Sequence, residues 1–228
     1  MSAPQQFAQR PKSIFNDFKY DMPKSTAPVQ GAKFPATWTW ELGTTGKIFF
    51  KVNDGIWGKD DPNAKNKEVE LECFHRDALL EVIERAARDE NFKGKQVTVK
   101  KQLFNPQTNR PNETPSVIAT FTVAKDSKGV IKVNYARGSY EVMFNLITDK
   151  LEIKGKDESG QVVVDYGLSS GVYAISFVNF SRKFLGEYEW ANYKRPEPKN
   201  KPNNQQYGNN NNQQNNTPST ESFDDLEF

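Results

Sequence analysis

The chain of 228 residues has one cysteine and one histidine. A single thiol excludes an internal disulfide and suits a reducing, cytoplasmic setting. Cys73 and His75 are too few for a structural zinc site and lack the partners of a nucleophilic triad, so a buried thiol and a helix-end histidine are expected there. No apolar run approaches the length of a membrane span. Residues 1–33 are polar and proline-spaced, unlike a signal peptide, and read as an extended arm. Gly43-Thr44-Thr45-Gly46-Lys47-Ile48 ends like a phosphate loop. It has two residues between its glycines instead of four and no Ser or Thr after the lysine, so it reads as a hairpin turn. No metal or cofactor is expected.

Net charge is also nearly absent, at +2, but it is unevenly spread. Residues 1–199 hold 30 bases and 25 acids, a net of +5, against one base and four acids in residues 200–228. A mildly basic body favours polyanions, and an acidic tail competes for the same surface.

What is abundant comes late in the chain. Of residues 200–216, thirteen are Asn or Gln. Such a segment has too little apolar surface to offset the entropy of ordering, so 196–220 is expected to be a disordered linker. It carries Glu221-Ser222-Phe223-Asp224-Asp225-Leu226-Glu227-Phe228. A tail that only solvates has no use for two phenyl rings. Phe223, Leu226 and Phe228 suit a pocket, while Asp224, Asp225, Glu227 and the terminal carboxylate suit basic groups around it.

This tip resembles that of bacterial-type single-stranded DNA-binding proteins, which end in aspartates, an aliphatic residue, a proline and a final phenylalanine. Asp224, Asp225, Leu226 and Phe228 match, and Glu227 stands where the proline would be. The body looks more like that of divergent phage-encoded single-stranded DNA-binding proteins. The resemblance implies an OB-type domain over 34–195 and a tip, 221–228, that recruits replication or recombination proteins. It implies a host-cytoplasmic location if the chain is phage-encoded.

The body's periodicity reads as a mostly β, α+β domain. Trp38, Trp40 and Leu42 alternate with Thr37, Thr39 and Glu41, and Ile48, Phe50 and Val52 alternate with Lys47, Phe49 and Lys51. One main helix is expected over 76–91, with Leu79, Val82, Ile83, Ala86 and Ala87 in a stripe. Strands follow at 97–104, 117–124, 130–136, 140–147, 162–166, 172–180 and 185–190, with Gly129 and Gly138 at turns. A five-stranded OB-type barrel with extra hairpins fits, and a sandwich fits the periodicity nearly as well. The choice of barrel rests on the resemblance.

Binding a single strand without reading its sequence needs cations for phosphates and aromatic faces for bases. Lys47, Phe49 and Lys51 supply both on one strand face, Lys100 and Phe104 on another, and Lys132 and Asn134 lie on a third, with Arg137 at its strand's end. Trp57 lies in a glycine-flanked loop beside Lys59. Phe49 and Phe104 fit a packing role equally well, and Trp57 fits an anchor for its own loop. The expected function is sequence-independent binding of single-stranded DNA in replication, recombination and repair, without enzymatic activity. Two alternatives stay open. Asp149, Glu152 and Lys154 faintly resemble the acid and Glu-x-Lys set of metal-dependent nucleases, and the chain also fits a protein-interaction module whose tail is its ligand.

Overall fold

The structure is a computed structural model describing residues 14–16, 20–43, 46–58, 61–108 and 110–193. Its centre is one eight-stranded antiparallel sheet. The strands are β1 (Lys24–Ser25), β2 (Thr37–Leu42), β3 (Ile48–Asn53), β4 (Glu68–Glu70), β5 (Lys95–Lys101), β8 (Ser116–Lys125), β9 (Ile131–Arg137) and β10 (Tyr140–Asn145). Two short hairpins stand apart, β6 (Phe104–Asn105) with β7 (Arg110–Pro111) and β11 (Lys154–Lys156) with β12 (Val162–Val164). Two α-helices complete the described body, α1 (Cys73–Arg88) and α2 (Tyr166–Asn192).

The strand order β4-β3-β2-β1-β10-β9-β8-β5 joins two meanders through the two-residue β1. The sheet curls into a half-barrel. Phe50 of β3 lies 4.4 Å, ring centre to ring centre, from Tyr135 of β9, although three strands separate β3 from β9 in the sheet. A salt bridge links the two edge strands on the outside, where Lys101 Nζ of β5 sits 3.0 Å from Glu70 of β4. The concave side holds Trp38, Trp40, Phe50, Phe121, Tyr135 and Phe144, all fully buried. Their edge-to-face packing, such as Trp38 on Phe50 at 4.9 Å, follows from the strict alternation of β2 and β3.

Three expectations about the elements need correction. The sheet has eight strands rather than five. There are two main helices rather than one. The segments expected as strands at 172–180 and 185–190, and the last residue of 162–166, belong to α2. Their aromatic and β-branched content favours strands locally, yet the buried positions Ser170, Ala174, Phe177, Val178, Ser181 and Leu185 recur every three to four residues, which is a helical stripe. Small residues on that stripe let α2 lie close across the concave side. Ser170 Oγ accepts from Ile131 N–H at 2.9 Å and donates to the Leu146 carbonyl at 2.7 Å. Trp40 Nε1 donates to Ser181 Oγ at 3.1 Å, and Phe177 meets Trp38 at 5.1 Å. Gly129, at φ +80°, turns β8 into β9 where a Cβ would come within 2.9 Å of Gly167 Cα, fixing the start of α2 against that turn.

The helix expected at 76–91 is α1, three residues earlier at each end, and Leu80 joins Leu79, Ile83 and Ala86 in the core. Arg182 of α2 pairs with Glu81 at 3.1 Å and with Glu84, and Arg76 pairs with Glu189 at 2.8 Å, tying the helices together antiparallel. Cys73, expected buried, opens α1 and is exposed. Part of the arm packs onto the body: Phe15 is buried against Phe180, and Tyr20 stacks on Phe180 at 4.5 Å.

Candidate nucleic-acid interface

Alternation along β3 buries Ile48, Phe50 and Val52 and turns Phe49 and Lys51 to the outer face. That face is electrically matched. Lys47 Nζ lies 2.9 Å from Glu70, and Lys51 pairs with Glu41 and lies 3.8 Å from Glu68. Phe49 stands directly between two acids, with Glu41 as its cross-strand partner on β2 and Glu70 on β4. Lys132 is 3.1 Å from Asp126, and Asn134 donates to Glu141 at 2.7 Å. Arg137 donates to the Glu68 carbonyl. Burial alone would raise the Glu70 carboxyl, but hydrogen bonds from Lys47 and Lys101 outweigh it and hold the group below its usual range. Burial is likewise outweighed at Asp126 by Lys132 and two backbone N–H donors.

The strand directions gather other residues at one end of the sheet. Thr37 opens β2 opposite the last residue of β3, Arg137 closes β9 opposite the first residue of β10, and Lys101 closes β5 opposite the first residue of β8. The loops 26–36, 54–67 and 102–115 therefore leave from the same end. Each carries an aromatic ring in solvent: Phe34 at 65% exposure, Trp57 at 75% and Phe104 at 58%. Phe104 begins the β6–β7 hairpin, which is closed by a hydrogen bond from Asn112 N–H to the Leu103 carbonyl at 2.8 Å and by an Asn105 side chain that accepts from Gln107 N–H. Lys33 sits over the Phe34 ring at 5.3 Å. Lys33, Lys65, Lys100 and Arg110 are exposed, and none pairs with an acid among the described residues.

The loop that carries Trp57 also holds a buried charge cluster. Lys67 Nζ reaches Asp54 Oδ1 at 2.8 Å, Asp61 Oδ2 at 2.5 Å and the Ile56 carbonyl at 3.1 Å. Tyr140 donates to the other Asp54 oxygen at 3.0 Å. Burial pushes the Tyr140 hydroxyl well above its ordinary range, and the Asp54 charge adds to the effect. At Asp61 desolvation is outweighed by hydrogen bonds from Lys67 and Asn63 N–H, so its carboxyl stays low.

Of the residues that the sequence singled out, Trp57, Lys100 and Phe104 fall at the loop end and Arg137 at its margin. Lys47, Phe49, Lys51, Lys132 and Asn134 fall on the ion-paired outer face. Lys59 and the tip residues Phe223, Asp224, Asp225, Leu226, Glu227 and Phe228 lie outside the described residues. Sequence reasoning passed over Phe34, Lys33, Lys65 and Arg110, whose only local signal is an aromatic or basic residue within two positions of proline, asparagine or glycine. Of the nuclease-like set, Lys154 pairs with Glu152 at 3.0 Å, and both side chains are exposed. Among the described residues no group of three or more His, Cys, Asp or Glu is disposed to hold a metal ion. No helix there is long and apolar enough to cross a membrane. Comparison with known proteins found no matching family model, curated protein or solved structure.

Proposed function

We propose that the chain binds single-stranded DNA without reading its sequence, and that the loop end of the half-barrel is the principal contact. The observation that carries this reading is that three solvent-exposed aromatic rings, Phe34, Trp57 and Phe104, lie at the same end of the sheet as four cations with no acidic partner among the described residues, three of them on its loops and Lys100 near the end of β5. Bases present a π-face whatever their identity, so stacking is sequence-tolerant and is worth about 1–3 kcal/mol per base. Lys33, Lys65, Lys100 and Arg110 supply the phosphate contacts, whose counterion release makes binding salt-dependent. In this reading the curled sheet acts as an OB-type barrel enlarged by β4 and by hairpins. The acidic tip, residues 221–228, captures replication or recombination proteins through Phe223, Leu226 and Phe228. The role is that of a replication, recombination and repair factor in a cytoplasm, and it uses no cofactor and no catalytic residue.

Titration of labelled oligo-dT tests the reading. Binding should quench tryptophan emission and should weaken by about 0.7 in log affinity per phosphate contact for each tenfold rise in salt. Absence of binding to any oligonucleotide would remove it in favour of a protein-interaction module. Magnesium-dependent loss of the labelled DNA would favour the nuclease alternative at Asp149, Glu152 and Lys154.

A further inference from the structure

Lys67 lies outside any surface that a phosphate reaches, and its ammonium is enclosed by oxygens from one loop. Asp54 and Asp61 present their carboxylates at 2.8 and 2.5 Å, and the Ile56 carbonyl completes the set at 3.1 Å. The side chains of all three charged residues are more than nine-tenths buried. Two acids against one base leave a negative excess, which is spread by donors from Tyr140 OH and from the N–H groups of Ile56 and Asn63. Such a cluster is costly to assemble, and removing its one cation leaves carboxylates buried without a counter-charge.

The geometry around Trp57 gives the cluster a use. On one side of the ring, Ile56 is held twice: its N–H donates to Asp54 Oδ1 at 3.0 Å, and its carbonyl accepts from Lys67. On the other side, the Gly58 carbonyl accepts from Asp61 N–H at 3.4 Å. Ile56 also backs onto the 26–36 loop, since a Cβ on Gly31 would meet its Cδ1 at 3.6 Å. Gly55 and Gly58 hold positive φ of 78° and 111°, so the loop follows a path that other residues resist. The backbone beside Trp57 is pinned on both sides, while its indole stays 75% exposed. A platform fixed before binding loses less entropy when a base stacks on it.

We propose that Lys67 is a positioning residue, an internal cation that locks the Trp57 loop in its base-stacking conformation without touching DNA. The proposal rests on the single-strand reading above, and it separates from that reading by its own readout. The first measurement is amide exchange at Gly55, Ile56, Trp57 and Gly58. Lys67→Met should speed it at least tenfold while exchange in β9 and β10 stays unchanged, and an unchanged loop would overturn the lock whatever the protein binds. The second is oligo-dT anisotropy. Lys67→Met should weaken binding about ten- to a hundredfold, the range of a lost stacking platform, with an unaltered salt slope. Combined with Trp57→Ala, it should weaken binding no further than Trp57→Ala alone. Losses that add, or a flatter salt slope, would make Lys67 an ordinary structural or phosphate-binding residue and overturn the proposal. Where circular dichroism shows Lys67→Met unfolded, Asp61→Asn replaces it, because it loosens the lock from the loop side while leaving the Asp54–Lys67 pair; the same two readouts then decide. If the wild-type protein binds no oligo-dT, the single-strand reading falls, and amide exchange alone decides the lock.

Discussion

The outer face of the sheet and the loop end of the half-barrel hold the same residue types in different electrical states. On the outer face, Lys47, Lys51 and Lys132 are each within 4 Å of an acid, and Phe49 has glutamates on both flanking strands. At the loop end, Lys33, Lys65, Lys100 and Arg110 have no acidic partner among the described residues, and the rings beside them stand in solvent. An exposed ion pair contributes only about 0–1 kcal/mol to stability. It nonetheless occupies the cation, which must leave its acid before it neutralises a phosphate. A strand face rich in lysine is therefore not by itself a polyanion surface; what matters is whether the neighbouring strands answer those lysines with acids.

The largest effect that separates the two regions should come from the rings. Replacing Phe34, Trp57 and Phe104 together with alanine should abolish measurable oligo-dT binding at moderate salt, since each base stack is worth about 1–3 kcal/mol. The thermal midpoint should hardly move, because these side chains are mostly in solvent. Phe49→Ala should weaken binding far less. If Phe49→Ala matches the triple variant in DNA affinity while the fold is intact, the outer face is the site and the comparison is inverted.

The next effect is in charge. Changing Lys33, Lys65, Lys100 and Arg110 to glutamine should flatten the dependence of log affinity on log salt by about 0.7 per lost phosphate contact. The same change at Lys47, Lys51 and Lys132 should flatten it less. Equal flattening would mean that the ion pairs open freely when DNA arrives.

A sharper version removes the acid instead of the base. Glu70→Gln releases both Lys47 and Lys101. With the loop end as the principal contact, oligo-dT affinity should change less than about twofold, and stability should fall by no more than about 1 kcal/mol. A marked gain in affinity would show that the outer face is a DNA surface held in check by its own glutamates.

The smallest effect is in pH. The folded protein holds Glu70 below its ordinary value of 4.5, so the unfolded chain takes up a proton first as the solution is acidified. Its contribution to stability is complete above pH about 4.5 and is lost as the pH falls through the lower, folded value. Asp61, depressed from 3.8, behaves in the same way in a slightly more acid window. Denaturation midpoints should be flat from pH 7 to about 5 and fall below that, and Glu70→Gln should fall less steeply than wild type.

Local pattern made part of this fold legible. In β2 and β3 the two-residue alternation of Trp38, Trp40, Ile48, Phe50 and Val52 states both the strand and its buried face, and every one of them is in the core. The stripe of α1 was equally plain. In α2, phenylalanines and tyrosines pull a local reading toward strands, while half of the helical stripe is Ser170, Ala174 and Ser181, which carry little hydrophobic signal. The concave sheet decides the matter by accepting a close-packed helix. Charge at the candidate site was illegible for another reason. Glu70 and Lys101 are 31 positions apart, and Lys67 reaches Asp54 across 13. No window along the chain holds such pairs together, so free and neutralised lysines look alike in sequence.

The central claim is that a single strand, with its bases unstacked and available, is what the loop end recognises. Titration with a labelled oligo-dT and with a duplex of equal length, at the same salt, tests it most directly. The account predicts clearly tighter binding of the single strand, accompanied by quenching of tryptophan emission that is lost in Trp57→Ala. Equal affinity for the duplex, or quenching that survives in Trp57→Ala, would contradict it.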